Sequence, residues 1–326
     1  MPTTRRHIFS RLTNLLRCRG SYLLSLLGVC RVRYMPTFVS VEPANFCQLA
    51  CPECPVGMRH AQPDKQRGVM SMDMFRRIVD EVAPYARVIQ LFWQGEPLLN
   101  DRLPEMISLA HQAGLYTIVS TNAQRLDLSA ARALAGAGLN RVIVSLDGWT
   151  QQTYEQYRRG GNVEQAKQAI RFLRQARQET GARMLIELQC LRLKTNEQEW
   201  ELFRKGYRAL GADFLTMKTA QLYDFAQGSP LMPSDTRYAR YRWDKSIRQY
   251  VPKHGLRNRC QRLWSGCVID VCGDVMPCCY DKSKQHTFGN ILRQPLADIW
   301  HGEQAEQFRM AVLRRRRDIP ICTNCE

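Results

Sequence analysis

Short apolar runs alternate with helical patterns along most of the chain. Six of these runs are rich in Val, Ile, Leu or aromatic residues and are bounded by Gly, Pro, Asn or Asp, which is typical of buried strands. The predicted strands are residues 37–42, 88–93, 116–121, 141–147, 184–191 and 214–219. Between the strands, apolar residues recur at the spacing of one helical face. The predicted helices are residues 72–82, 103–113, 127–137, 163–180 and 197–210.

Local signals mark the ends of the predicted helices. The hydroxyl of Ser71 can accept a hydrogen bond from an unpaired amide of the first turn, so Ser71 is a predicted N-cap. Glycines follow four helix ends, where a left-handed residue closes the last turn. They are Gly114, Gly138, Gly181 and Gly211. Strands alternating with helices predict an α/β fold with a parallel sheet, either doubly wound or an open, partial barrel, with functional groups at the carboxyl ends of the strands.

Thirteen cysteines are many for a chain of 326 residues, whereas its hydrophobic content of 44% and charged content of 24% are ordinary. The cysteines cluster at 47–54 and 260–325, with only Cys190 between the two groups. A secreted disulfide framework favours small domains and an export signal. Two distant groups instead indicate two metal centres, and we expect a reducing, cytoplasmic compartment.

The first group has the spacing CxxxCxxC and consists of Cys47, Cys51 and Cys54, directly after the first predicted strand. Three thiolates on one loop can hold three corners of a [4Fe–4S] cluster and leave one iron open for a small molecule. Structural zinc sites usually close with four ligands in CxxC or CxxC…HxxxH pairs, a different pattern. A zinc knuckle and three unrelated buried cysteines are the alternatives.

Residues 1–36 form a predicted basic, amphipathic N-terminal segment. Five arginines precede an apolar run at 22–30 that superficially resembles a signal peptide. The run is short for a membrane span, which needs about 20 residues. We expect an amphipathic helix that either packs across the fold or contacts an anionic membrane surface.

The net charge of +17 favours an acidic partner, such as nucleic acid, an anionic substrate or anionic lipid. The densest basic run is 314–317, which is typical of a solvated helix end. No RNA-binding motif with interleaved aromatic residues accompanies it, so nucleic acid is disfavoured as a partner.

The cysteine loop after the first of six strands resembles that of radical S-adenosylmethionine (SAM) enzymes, over residues 37–220. The resemblance implies a partial (β/α)6 TIM-like barrel in which SAM binds the open iron of a [4Fe–4S] cluster. It also implies a reductant such as flavodoxin or ferredoxin, and radical chemistry on a substrate. In this family the residue before the third cysteine is usually aromatic, but here it is Glu53.

Segments at later strand ends are similar to the cofactor-binding positions of that family. Gln94-Gly95-Glu96 resembles its GGE segment, with Gln94 in place of the first glycine. An arginine, Arg158 or Arg159, could pair the SAM carboxylate, because a guanidinium fork suits a carboxylate. The predicted SAM-binding residues are Gln94, Gly95, Glu96, Ser120, Asn122, Ser145 and Arg158.

The second cysteine group resembles the SPASM/twitch extension of radical SAM enzymes, since Cys260, Gly273 and Cys278 have the order C-x12-G-x4-C and a CxxC follows. We expect a hairpin around Gly273. The resemblance implies a small C-terminal iron–sulfur domain at 260–326, after a connecting segment at 221–259, with one auxiliary [4Fe–4S] cluster. Its predicted ligands are Cys260, Cys278, Cys322 and Cys325. Cys279 competes with Cys278, and zinc is the alternative metal.

Three functions remain at this point. The first is a radical SAM enzyme that oxidises or rearranges a small anionic molecule. The second is a SPASM maturase that modifies a peptide or protein, and the third is a non-catalytic metal-cluster protein that binds nucleic acid. The sequence does not identify the substrate. Candidate contacts are Lys218, Tyr223, Asp224 and residues 229–242, and candidate general bases are Asp224 and Asp281.

Overall fold

The computed structural model describes residues 3–58 and 67–325, with side chains from residue 7 onward. The helices are α1 (Thr3–Ser25), α2 (Pro55–Met58), α3 (Met72–Val82), α4 (Leu103–Gln112), α5 (Leu128–Gly136), α6 (Gln151–Tyr157), α7 (Val163–Thr180), α8 (Trp200–Leu210), α9 (Gln261–Ser265), α10 (Leu296–His301), α11 (Glu303–Arg315) and α12 (Pro320–Thr323). The strands are β1 (Phe38–Val41), β2 (Val88–Leu91), β3 (Tyr116–Thr121), β4 (Arg141–Ser145), β5 (Leu185–Arg192), β6 (Phe214–Thr219), β7 (Tyr241–Asp244), β8 (Gln249–Pro252), β9 (Gly266–Ile269), β10 (Asp274–Met276) and β11 (Gly289–Asn290).

The chain divides into two compact units whose residues interleave along the sequence. Of the described residues, the first contains 3–45, 67–118 and 256–325, and the second contains 46–58 and 119–255. The predicted domain boundaries at 36, 220 and 259 stay predictions. No helix in the part of the chain that the structure describes is long and apolar enough to cross a bilayer.

In the first unit the strand order is β11-β10-β9-β1-β2-β3. Strand β1 pairs in parallel with both β2 and β9, and Val39 lies opposite Ile89 on one side and Cys267 on the other. The predicted hairpin is confirmed: β9 and β10 are antiparallel, and Gly273 in their turn has a φ of 84°. Gly266 allows β9 to approach β1, because a Cβ there would lie 2.3 Å from a ring carbon of Phe38.

In the second unit the parallel strands follow the order β4-β5-β6. Helices α5 and α7 pack against each other, and Ile170 and Leu173 of α7 are fully buried. The segment predicted to connect two domains is itself folded, because it contains the antiparallel hairpin β7–β8 and the buried residues Leu231 and Tyr241.

The predicted pattern of strands and helices is confirmed. Strands β3 and β6 and helices α3 and α7 have the predicted bounds. The Oγ of Ser71 accepts a hydrogen bond from the amide of Met74 at 3.2 Å, as an N-cap does. The four glycines after helix ends all have positive φ. The α/β class with a parallel central sheet follows.

Candidate metal centres

The first cysteine group, Cys47, Cys51 and Cys54, lies in the second unit on a tightly folded loop. The amide of Cys54 donates to the carbonyl of Cys51 at 3.2 Å, and the amide of Met58 donates to the carbonyl of Cys54 at 2.8 Å. A Cβ on Gly57 would lie 2.4 Å from the carbonyl oxygen of Cys51. Helix α2 therefore packs on the loop backbone only because position 57 has no side chain.

Hydrogen-bond donors converge on the sulfurs of this loop. Nδ2 of Asn122 donates to Sγ of Cys47 at 3.3 Å, and the amide of Leu49 donates to the same sulfur at 3.4 Å. Nη1 of Arg158 lies 4.0 Å from Sγ of Cys51. Donors and positive charge stabilise a thiolate, which is the form of cysteine that binds metal. The donor chemistry fits an anionic iron–sulfur cluster.

A buried ion pair fixes Arg158. Its Nε donates to Oδ2 of Asp147 at 2.6 Å, and Oδ1 of Asp147 accepts from the amide of Leu191 at 2.6 Å. The Asp147 side chain is 1% exposed and that of Arg158 is 16% exposed. Burial lowers the pKa of Arg158, but the charges of Asp147 and Cys51 more than offset it, and this pKa lies well above its ordinary value. Arg158 therefore stays a cation beside the cysteine loop.

Asn122 is held in place by its neighbours. Its Oδ1 accepts from Nε2 of Gln48 at 3.1 Å and from the amide of Gln124 at 3.0 Å. The structure thus brings Asn122, like Arg158, into contact with the predicted cluster ligands. Of the other predicted SAM-binding residues in this region, Ser120 is half-buried within β3 and Ser145 is buried at the last position of β4.

Glu53 stands where the resembling family usually has an aromatic residue, and it connects the cysteine loop to the segment that follows β6. Its Oε2 accepts a hydrogen bond from the amide of Tyr223 at 2.8 Å. Farther along the same segment, Leu231 and Tyr241 belong to the apolar cluster that contains Cys51. The segment 229–242, predicted to contain substrate contacts, therefore packs against the cysteine loop.

The second cysteine group comes together within the first unit from three separate stretches of chain. Burial raises the pKa of Cys278, and the neighbouring thiols of Cys279, Cys260 and Cys322 raise it further. Burial also raises the pKa of Cys322 to about 11, with Cys260 and Cys325 acting in the same direction. Thiols that influence one another in this way lie close together. The structure therefore groups the four predicted ligands.

Two arginines accompany this group. Arg316 is 7% exposed and its side chain donates a hydrogen bond to Cys322, which opposes the rise in the pKa of that thiol. Nη1 of Arg262 donates to Sγ of Cys279 at 3.0 Å. Cys278 neighbours the thiols of Cys260 and Cys322, and the choice of Cys278 over Cys279 as the ligand stays a prediction.

The predicted segment Gln94-Gly95-Glu96 lies in the first unit, shortly after β2. Oε1 of Glu96 accepts from the amide of Leu98 at 3.1 Å and caps a short 3-10 turn. The backbone amides of Gln94 and Gly95 donate to the carboxyl group of Glu42, which is 2% exposed. Glu96 thus shapes its own loop, and Glu42 anchors the segment.

Two stretches of the chain match family models. Residues 41–188 match the Radical SAM superfamily, and residues 260–326 match the SPASM iron-sulfur cluster-binding domain. The chain is a radical SAM enzyme with a SPASM domain. The first match includes the CxxxCxxC loop, and the second includes all four grouped cysteines. A radical SAM domain implies SAM and a [4Fe–4S] cluster, and a SPASM domain implies auxiliary iron–sulfur clusters.

Similar proteins cover most of the chain. The AdoMet-dependent heme synthase of Methanosarcina barkeri is 26% identical, and the match covers 84% of this chain and 84% of that protein. The crystal structure of BtrN in complex with AdoMet and 2-DOIA is 19% identical, with a TM-score of 0.58 over 91% of this chain and 94% of BtrN. Streptococcus suis SuiB bound to precursor peptide SuiA is 14% identical, with a TM-score of 0.64 over 90% of this chain and 71% of SuiB. The shared fold confirms the predicted partial TIM-like barrel of this radical SAM enzyme.

Zinc was the alternative metal for the cysteine groups. The two family matches, which imply iron–sulfur clusters, favour clusters over zinc.

Three residues that shape the two centres were not singled out by the sequence analysis: Glu42, Gly57 and Arg316. Arg316 belongs to the basic run that was interpreted as a solvated helix end. Its position a few residues before the final CxxC was the one feature of the sequence that could have indicated a contact with those cysteines. Conversely, the candidate base Asp281 is fully buried, and its two oxygens accept from the amides of Gln285 and His286, both at 2.8 Å. Asp281 therefore stabilises a turn.

Proposed function

We propose that this radical SAM enzyme holds two [4Fe–4S] clusters, one on each cysteine group. The ligands of the SAM-binding cluster are Cys47, Cys51 and Cys54. The ligands of the single auxiliary cluster are Cys260, Cys278, Cys322 and Cys325. The observation that supports this best is that each group of thiols has its own arginine, the partly buried Arg158 in one case and the buried Arg316 in the other.

With SAM and an electron from a reductant such as flavodoxin or ferredoxin, a [4Fe–4S] cluster held by Cys47, Cys51 and Cys54 would supply the reductive cleavage of SAM and, through it, radical abstraction of hydrogen from a substrate. The chain contributes position and charge. Asn122 and Arg158 donate toward the cysteine sulfurs, and Asp147 keeps Arg158 in place. Leu231 and Tyr241, packed in the apolar cluster with Cys51, exclude water from one side of the loop.

The proposed substrate is a small anionic molecule that is oxidised or rearranged. Arg192 ends β5, at the edge of a parallel sheet where ligands bind. Its guanidinium lies 4.6 Å from the ring centroid of Tyr238 and 5.9 Å from that of Trp200. Among the described residues, its buried Nε has no hydrogen-bond partner. An arginine oriented by two aromatic rings suits a carboxylate or phosphate group.

A peptide substrate is the second candidate, supported by the similarity to SuiB, whose structure contains the precursor peptide SuiA. The small-molecule proposal is supported by BtrN, which was solved with AdoMet and 2-DOIA and which this chain spans to 94% of its length. A non-catalytic nucleic-acid-binding protein is no longer a candidate, because the chain is a radical SAM enzyme.

The cluster assignment is tested by iron and sulfide analysis after anaerobic reconstitution. A Cys47→Ala/Cys51→Ala/Cys54→Ala variant and a Cys322→Ala/Cys325→Ala variant should each retain roughly half of the wild-type iron. The matched control is Cys190→Ala, which replaces a buried cysteine that the proposal places outside both centres. This variant should retain all of the wild-type iron. Full iron content in either multiple variant would overturn the assignment.

The substrate class is tested by the stimulation of 5′-deoxyadenosine formation. The reconstituted enzyme is incubated with SAM, a reductant and an ultrafiltered cell extract, before and after passage over an anion exchanger. A second sample of the extract is treated with protease. A small anionic substrate is supported if the anion exchanger removes the stimulating activity from the extract and protease treatment does not. Stimulation that protease abolishes supports the peptide instead. Arg192→Gln should raise the KM for the active fraction while Arg192→Lys restores part of it, because only the charge is retained.

A further inference from the structure

Helix α1 presents an apolar stripe to solvent. Phe9 is 77% exposed and Leu23 is 62% exposed, and three more large apolar residues lie on the same face. Those residues are Ile8, Leu12 and Leu16. At 1.5 Å per residue the stripe is about 22 Å long. The chain just beyond the helix continues it, because Leu27 is 79% exposed.

The opposite face of α1 packs on the rest of the first unit, largely through polar groups. The guanidinium of Arg11 donates to the carbonyl oxygens of Ala83, Ala113 and Gly114 at 2.6–2.8 Å. Asn14, which is 4% exposed, exchanges two hydrogen bonds with the backbone of Met35. A helix on the surface of a globular protein normally turns its apolar stripe inward and its polar face to water. Helix α1 does the reverse.

The N-terminal segment that carries this stripe has charged side chains of one sign only. The first acidic residue of the chain is Glu42, and seven arginines precede it. Arg17 and Arg19 are exposed on α1, and Arg31 and Arg33 are exposed shortly after it. A second copy of the chain would place the same arginines against these. A partner with an apolar interior and a negatively charged surface layer would complement both the apolar stripe and the arginines.

We propose that α1 is a docking helix for the surface of an anionic lipid bilayer. Its apolar stripe enters the boundary between headgroups and acyl chains, and the exposed arginines on the helix and just after it reach the lipid phosphates. The polar contacts of Arg11 and Asn14 hold the helix to the first unit, so docking positions the whole enzyme at the membrane. The proposal does not depend on the proposed reaction or its substrate.

The test is co-sedimentation of the full-length, reconstituted protein with vesicles of phosphatidylcholine alone and of phosphatidylcholine mixed with phosphatidylglycerol. The wild type should bind the mixed vesicles more tightly, and high salt should weaken the difference. Leu12→Asp/Leu16→Asp should lower the affinity more than tenfold, because two apolar side chains no longer insert. Both residues are more than half exposed, so the folded chain tolerates the change.

Matched control variants show whether vesicle binding depends on residues of α1 or only on the overall charge and apolarity of the protein. Leu292→Asp changes a leucine that is 52% exposed elsewhere in the first unit and should bind as the wild type does. Arg17→Gln/Arg19→Gln should lower affinity for the mixed vesicles by about 25-fold, since each arginine near the surface contributes roughly fivefold. Arg314→Gln/Arg315→Gln removes equal charge from an exposed site outside this helix and should have a small effect.

Three results would overturn the proposal. The first is a wild-type protein that does not sediment with either kind of vesicle. The second is equal loss of binding in the Arg314/Arg315 and Arg17/Arg19 variants, which would indicate a general effect of net charge. The third is a stable dimer in solution that Leu12→Asp/Leu16→Asp converts to a monomer, because a second copy would then cover the stripe.

Discussion

Replacement of Asp147 by asparagine should destabilise this enzyme by about 3 kcal/mol. Asp147 and Arg158 form a buried ion pair with an Nε–Oδ2 distance of 2.6 Å. Removal of one partner of a buried pair costs roughly 3–5 kcal/mol, because the other charge stays buried without compensation. The lower end applies here, since the Arg158 side chain keeps 16% exposure. The side-chain oxygen of the introduced asparagine would still accept from the amide of Leu191, so the substitution removes the charge and little else.

The assay is urea unfolding of the metal-free protein, followed by far-UV circular dichroism under reducing conditions. Arg132→Gln is the control, because it breaks the exposed ion pair with Glu179 and should change stability little. The Asp147→Asn variant should also retain less iron at the SAM-binding centre, because Arg158 no longer has a fixed position beside Cys51. A loss of stability below about 1 kcal/mol, equal to that of the control, would refute the buried-pair argument.

Three further predictions follow from the two centres. Burial and, to a smaller extent, the charge of Asp270 raise the pKa of Glu42 to about 7 from 4.5. Between these two pH values Glu42 is therefore ionised in the unfolded chain but still protonated in the folded chain. The free energy of unfolding should therefore fall by about 3 kcal/mol as the pH rises from 4.5 to about 7. Glu42→Gln should remove this part of the pH dependence of stability. A variant whose stability depends on pH as the wild type's does would contradict this prediction. Arg316→Gln should lower iron retention at the auxiliary centre after chelator challenge, whereas the exposed Arg314→Gln should not; equal retention in both variants would exclude a role for the buried cation. Gly57→Ala should disturb the CxxxCxxC loop and lower its iron content, whereas Gly136→Ala, where a Cβ meets nothing within 4 Å, should not; full iron content in Gly57→Ala would show that the loop can shift freely.

The periodic parts of the fold were predictable from the sequence because local signals agree there. Strand β3 and helix α7 have the predicted bounds, since alternating apolar residues, turn residues and helix-closing glycines all mark the same positions. The CxxxCxxC loop was predictable for a similar reason, because its three cysteines are adjacent in sequence and directly follow a strand.

Contacts between distant residues were harder to predict. The resemblance to radical SAM enzymes placed Arg158 or Arg159 at the site but gave no sign that Asp147 holds Arg158. Arg316 was interpreted as solvated because a run of four arginines usually is, yet the fold buries this one beside Cys322. Helix α1 was expected to pack through an apolar face or to rest on a membrane. Its polar face provides the packing instead, because Arg11 finds three backbone carbonyls at the ends of neighbouring elements.

The central claim is that Cys47, Cys51 and Cys54 hold the cluster at which SAM is cleaved. Its most direct test is the amount of 5′-deoxyadenosine that the reconstituted enzyme forms from SAM and a strong reductant. We expect formation by the wild type and by the Cys322→Ala/Cys325→Ala variant, which keeps the SAM-binding group intact, and none by the variant that lacks the three loop cysteines. Equal formation by the wild type and the loop variant, or none by the iron-loaded wild type, would contradict the account.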